Sequence, residues 1–162
     1  MISDTQSNFH CSVIEINQTG IMITGSSGSG KTSLALGLLE RANSHQLLSA
    51  FISDDQAILR EHNSRLVAKT PPTIAGKLEL HGYGIIDLPY KKETTIDLVI
   101  EMCPEDTLDR MPEERFTTIN NVQLPLLRVP IKHEAQSVRI VFAWLHETFG
   151  IGPRLGLVNE NS

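Results

Sequence analysis

Eight consecutive residues constrain this chain more than any others: Gly25-Ser26-Ser27-Gly28-Ser29-Gly30-Lys31-Thr32. They satisfy the pattern G-x-x-x-x-G-K-[ST] in full, in the context that gives the pattern meaning. The β-branched run Ile21 to Thr24 precedes them, and Leu34, Leu38, Leu39 and Ala42 follow at helical spacing. A strand therefore runs through a tight loop into a helix. Glycines are needed because the backbone has to fold closely enough to aim successive N–H groups at phosphate oxygens, at the positive end of the helix dipole. Lys31 then supplies a point charge to the β- and γ-phosphates, and the Thr32 hydroxyl is placed to ligate Mg2+. A flexible Gly/Ser linker would have no use for Gly30-Lys31-Thr32 abutting a helix. Nucleotide binding by Gly25 through Thr32 is the expectation, and the lack of an N-K-x-D run favours ATP over GTP.

The rest of the chain reads as one α/β domain over residues 1–162, with a mixed sheet, a P-loop helix and a C-terminal helix. Val13 to Ile16 and Ile21 to Thr24 flank the turn-forming Asn17-Gln18-Thr19-Gly20, so a hairpin opens the domain. Leu47 to Ile52, Ala57 to Arg60, Leu66 to Ala68, Ile96 to Met102 and Val122 to Val129 are further strands. Beyond the break at Thr70-Pro71-Pro72, Lys77 to His81 and Gly84 to Leu88 form two short strands around Gly82. Cys103 to Glu114, with Pro104 and Pro112, is an irregular loop. Ala135, Val138, Val141, Phe142, Leu145 and Phe149 share a helical face that Gly150 ends, and the tail frays from Gly152.

Charge narrows the partners. Lys+Arg 14 against Asp+Glu 19 gives a net charge of -5, and no basic cluster exceeds Lys91-Lys92, which argues against a nucleic-acid binder. No apolar run approaches the roughly 18 residues that cross a bilayer, and the polar start of the chain does not read as a secretory signal. A cytoplasmic protein is expected. Cys11 and Cys103 have no C-x-x-C spacing and read as buried thiols.

A phosphate loop alone names no reaction; carboxylates have to converge on it. Asp54-Asp55, Glu79 and Asp87 each follow or interrupt an apolar run that could deliver them there. Adjacent strand residues point to opposite faces, so only one of Asp54 and Asp55 faces the phosphates unless the strand has already ended.

Taken together, these residues resemble the bacterial HPr kinase/phosphorylase family. A histidine, His10, stands before the P-loop; an aspartate pair lies in Ser53-Asp54-Asp55-Gln56; and Glu79-Leu80-His81-Gly82-Tyr83-Gly84-Ile85-Ile86-Asp87-Leu88 is similar to the family signature E-I-R-G-L-G-I-I-D-V. Asp109-Arg110-Met111-Pro112 is similar to a fourth element. By pattern alone His10 is a strand histidine and Arg110 a solvated loop charge; four motifs in the right order change that reading.

The resemblance implies a phosphoenolpyruvate carboxykinase-like fold and an ATP- and Mg2+-dependent serine kinase acting on an HPr-type phosphocarrier protein. It implies Asp55 as general base, His10 and Lys31 holding the transferring phosphoryl group, Thr32 and Glu79 on Mg2+, and Arg110 neutralising transition-state charge. It also implies a short form with the kinase domain only, a ring-like homo-oligomer, and contact with other phosphotransferase-system proteins. The sequence departs from the family at His81 and Tyr83, and at Val129-Pro130-Ile131-Lys132-His133-Glu134-Ala135, where a family loop P-V-R-P-G-R-N serves dephosphorylation. The kinase direction is therefore carried further than phosphorolysis. A nucleotide-sensing regulator without turnover is the alternative, and a small-molecule kinase is disfavoured because no Arg-rich lid segment is present. Replacing Lys31 by alanine removes the loop's ammonium, and loss of nucleotide binding or transfer in Lys31→Ala, read by calorimetric titration with ATP, is the expected result.

Overall fold

The structure is a computed structural model that describes residues 6–156. Its elements are β1 (Ser7–Phe9), β2 (Ser12–Ile16), β3 (Thr19–Thr24), α1 (Lys31–Ser44), β4 (Ser49–Ser53), β5 (Ala57–His62), β6 (Arg65–Lys69), β7 (Lys77–Leu80), β8 (Gly84–Asp87), β9 (Glu93–Cys103), β10 (Arg115–Ile119), β11 (Val122–Pro130) and α2 (Glu134–Phe149). Short 3-10 turns lie at Pro72–Ile74, Glu105–Thr107 and Arg154–Gly156.

Strand β9 is the hub of a nine-stranded mixed sheet. One edge pairs in parallel with β3, which continues antiparallel to β2 and then β4. The other edge is shared: Glu93–Thr95 takes β6 antiparallel, leading to β5 and β1, and Val99–Cys103 takes β11 in parallel, leading to β10. One strand serving two branches makes the sheet curl.

The two faces of the sheet bury separate cores. Ile14, Ile16, Ile21, Ile23, Leu98 and Ile100 pack under Leu34 and Leu38 of α1 and Val141 and Phe142 of α2. Val13, Met22, Ile96 and Val99 face the other way, against Leu59, Leu66 and Ala68 of the branch that curls over and Val122 and Leu124 of β11. Ile96 and Leu98 have the same parity along β9 yet lie on opposite faces. The cause is an irregularity in which Gly20 opposes Ile96 and Ile21 opposes Leu98, leaving Asp97 as the extra residue. The Asp97 carboxylate accepts the Gly20 N–H at 3.1 Å and an Arg65 N–H at 2.9 Å, so the bulge leaves that amide satisfied.

Every predicted strand is present, several of them longer than expected. The opening hairpin turns through Asn17 and Gln18, with φ of 49° and 64°, and Gly20 belongs to β3 instead of the turn. Strand β1, ahead of the hairpin, was not predicted: its three residues are too few to show an alternation. Strand β10 was also not predicted, because Arg115-Phe116-Thr117-Thr118-Ile119 faces solvent over much of its length and shows no apolar period. The Asn120-Asn121 pair, at φ 48° and 65°, closes it onto β11 and is the one sequence signal that could have revealed it. Strands β7 and β8 form a separate two-stranded ribbon. The Lys91 ammonium meets both oxygens of the largely buried Glu15, which also accepts from Thr94 at 2.5 Å. After α2, Gly150 turns at φ 68°, Ile151 is buried, and the Gly152 carbonyl lies 2.6 Å from His146 Nδ1. The tail expected to fray from Gly152 is instead held at that carbonyl and turns at Arg154–Gly156, and the remainder of it lies outside the described residues.

Gly20 has no room for a side chain, since a Cβ there would stand 1.9 Å from the Thr95 carbonyl oxygen. Gly20→Ala is expected to cost about 3 kcal/mol, at the upper end of overpacking costs, because the obstacle is backbone in the sheet's central pairing. The shift of the urea midpoint measures it.

Candidate active site

The connection from β3 into α1 is built on backbone freedom and close approach. Gly28 and Gly30 sit at φ 78° and 101°, where a Cβ is strained. At Gly25 a Cβ would lie 2.7 Å from Ser29 Oγ and 3.1 Å from the Met102 Cβ. Helix α1 begins at Lys31 with no side-chain cap, which leaves its first N–H groups for another acceptor. Lys31 is buried, and its Nζ donates to the carbonyls of Gly25 and Ser26, each at 3.1 Å. Ser29 Oγ is buried without a partner. Uncapped amides, a buried ammonium and an unpaired hydroxyl around one loop are a donor set that fits a phosphate group.

The carboxylates come from the end of β4. That strand stops at Ser53, whose hydroxyl donates to the Gln56 carbonyl at 2.5 Å, and Asp55 takes a left-handed backbone at φ 67°. The turn frees the two aspartates from strand alternation, so both reach the same neighbourhood. Asp54 is buried; its Oδ1 accepts from Thr32 Oγ1 at 2.8 Å and from Ser12 Oγ at 2.9 Å. Asp55 is exposed, with Oδ1 3.3 Å from His10 Nδ1. His10 and Ser12 are two residues apart on extended backbone and so project to the same side. Cys11, between them, projects into the opposite core and donates its N–H to the Asp55 carbonyl at 3.1 Å. Burial pushes the Cys11 thiol up to about 12, with Lys31 pulling down and Asp55 pushing up by less, so it is a protonated packing group at neutral pH.

His10, Lys31, Thr32 and Asp55 are thus joined through the glycine-rich loop, Asp54 and the first residues before β2. Glu79 and Arg110 are not drawn into that network. Glu79 lies exposed on β7, opposite Ile85, in the ribbon that packs near α1. Arg110 lies exposed in the loop after the Glu105–Thr107 turn, beside an Asp109–Arg115 ion pair of 3.0 Å. Arg128, isolated in the sequence, anchors that loop: it pairs with Glu101 at 3.2 Å and donates to the Thr107 carbonyl at 3.3 Å. Among the described residues no cluster of three or more His, Cys, Asp or Glu side chains forms a ready metal cage. The oxygen donors present, the Thr32 hydroxyl and the Asp54 carboxylate, are of the hard type that suits Mg2+. Ser12 and the role of Asp54 were not found in the sequence; the only signal was the spacing of Ser12 from His10. A cleft of about 440 Å3 is walled by residues including Phe9, Thr24, Glu101 and Asn120, and none of His10, Lys31, Thr32, Asp54 and Asp55 lines it. Among the described residues no helix is long and apolar enough to cross a membrane.

The family profile described as HPr Serine kinase C-terminal domain matches residues 3–148. The chain is 32% identical over 139 residues to the HPr kinase/phosphorylase of Lactobacillus acidophilus, covering 78% of this chain and 41% of that protein. It is 33% identical over 138 residues to the HPr kinase/phosphorylase of Clostridium novyi, covering 78% and 43%. It thus spans about two fifths of the length of these curated relatives. A solved structure described as the Hpr(Ser) kinase/phosphatase from Coxiella burnetii superposes with a TM-score of 0.73 at 22% identity, over 87% of this chain and 96% of that one. It has the same mixed fold.

The raised Cys11 thiol sets a pH dependence. In the unfolded chain this group loses its proton near 9.0, whereas the folded protein holds it to about 12. Stability from this source is whole below pH 9 and falls as pH rises toward 12, by up to about 1.4 kcal/mol per pH unit. Cys11→Ala is expected to flatten that alkaline slope relative to the parent protein in parallel urea titrations.

Proposed function

Because the chain belongs to the HPr serine kinase C-terminal domain family, we propose that it is the phosphotransfer unit of an ATP- and Mg2+-dependent serine kinase whose acceptor is an HPr-type phosphocarrier protein. The observation that carries this reading is the single turn after β4, which sets Asp54 on Thr32 and Asp55 beside His10. The buried aspartate serves the nucleotide side and the exposed one serves the acceptor side.

In this reading Gly25 through Thr32 hold the triphosphate, and Lys31 leaves its two loop carbonyls to meet the β- and γ-phosphates. Thr32, Asp54 and Glu79 are the oxygen donors that would hold Mg2+. When bound, that ion neutralises negative charge on the phosphate oxygens. Asp55 takes the proton from the acceptor serine as the seryl oxygen bonds to the γ-phosphorus and the bond to the β-phosphate oxygen breaks. Transfer in the other direction returns that proton to the serine. His10, 3.3 Å from Asp55, orients the carboxylate and faces the transferring group. Arg110, exposed on its loop, approaches from the acceptor side to meet charge developing on the phosphoryl oxygens.

The loop from Pro130 into α2 is held internally, with Ser137 Oγ donating to the Pro130 carbonyl at 2.9 Å and His133 paired to Glu105 at 2.9 Å. That arrangement presents no glycine or arginine to an incoming phosphate, which supports the kinase direction over phosphorolysis.

Incubation with ATP, Mg2+ and an HPr-type carrier should place phosphate on a carrier serine, read by mass spectrometry. Asp55→Asn should keep nucleotide affinity while transfer falls about 10^2- to 10^4-fold, the range for loss of a general base. Transfer at the parent rate in that variant would sink the assignment of Asp55.

A further inference from the structure

The hydroxyl of Ser12 is fully buried, and it donates its proton to Asp54 Oδ1, 2.9 Å away. The same oxygen receives the Thr32 hydroxyl at 2.8 Å. Among the described residues no hydrogen bond reaches Asp54 Oδ2. The terminal torsion of an aspartate is broad and roughly two-fold, so a single donor does not hold the carboxylate plane. Two donors on one oxygen, from β2 and from α1, do hold it. We propose that Ser12 is a positioning residue for the divalent cation: it keeps Oδ1 on Thr32 and leaves Oδ2 for the metal. With its proton committed to Asp54, the Thr32 oxygen presents lone pairs to a cation instead of an O–H. Groups that orient a metal ligand tune the affinity of the site, typically by about 10- to 100-fold.

Three features favour this over a serine that only fills the core. Ser12 lies next to residues of β2 that are buried and, apart from Glu15, apolar. Its hydroxyl bonds a carboxylate 42 residues away in sequence, not a carbonyl of its own strand. It also stands 3.5 Å from the Asp55 N–H, so it touches the turn that carries both aspartates. The register of β2 against β4 shifts between Val13 and Ile14, directly beside this contact, which is the device that lets the end of β4 swing toward Ser12.

The inference rests on the nucleotide-binding part of the proposed function, and its test separates the two. Mn2+ affinity of the full chain in the presence of ADP is measured by electron paramagnetic resonance for the parent, Ser12→Ala and Ser12→Thr, with metal-free ADP affinity measured alongside. Ser12→Ala should weaken Mn2+ binding by about tenfold or more, the usual effect of removing a group that orients a metal ligand. Metal-free ADP affinity should stay at the parent value, and Ser12→Thr should restore the metal. Should Ser12→Ala fail to fold, Ser12→Cys keeps the shape with a poor donor and should shift the metal affinity in the same direction. Parent-like Mn2+ affinity in a folded Ser12→Ala or Ser12→Cys overturns the role of Ser12 alone. A parent protein that binds ADP but no Mn2+ overturns this inference alone, and one that binds neither overturns the nucleotide site and this inference with it.

Discussion

A carboxylate as buried as Asp54 has to be met by hydrogen-bond donors, because removing a charge from water without partners costs several kcal/mol. The two donors that meet it come from different parts of the chain: Ser12 opens β2, and Thr32 lies in the first turn of α1. Asp54 itself lies in the turn just after β4. One charge therefore ties together the edge of the sheet, the start of the helix and the turn that presents Asp55. The glycine-rich loop runs between two of these tied points, so its shape follows from them as well as from its own glycines.

That arrangement needs a sheet in which β3 and α1 are held firmly, and β9 supplies it. The strand is flanked by β3 on one edge and by two branches on the other, and both of its faces are buried. Carrying a bulge at Asp97 lets it place Ile96 in one core and Leu98 in the other, and Gly20 is the residue that permits the close backbone approach this requires. The backbone before the glycine-rich loop is therefore anchored in two cores, while the ribbon with Glu79 and the loop with Arg110 lie on the exposed periphery. In the proposed function, positioning and charge neutralisation, the two needs of phosphoryl transfer, divide along that line: the fixed groups would hold the nucleotide and the exposed groups would meet the acceptor.

Much of this was legible beforehand. The strand, loop and helix around Gly25 to Thr32 were readable because glycine, lysine and threonine at that spacing have few other uses. The face of α2 was readable in its middle, where Val138, Val141, Phe142 and Leu145 follow the helical period and are buried, whereas Ala135 and Phe149 at its two ends, read on the same face, are exposed. Strands β1 and β10 were not, since one is three residues long and the other largely faces solvent. The choice between Asp54 and Asp55 was open because it turned on where β4 stops, and strand ends carry no strong local signal.

What the amino-acid sequence determined by itself is the local chemistry: a phosphate-shaped loop, a paired carboxylate, a histidine ahead of them, and the order in which these occur. These are short-range properties, set by backbone permissions and by residue type within a few positions. What only the tertiary structure decided is which of them meet. The left-handed turn at Asp55 sends both aspartates toward the loop, and burial then sorts them, one locked under Thr32 and Ser12 and the other left exposed beside His10. Contacts of that kind join residues 22 to 45 positions apart in the sequence, and their geometry depends on strand register and on where charge can be hidden from water, which no local pattern encodes.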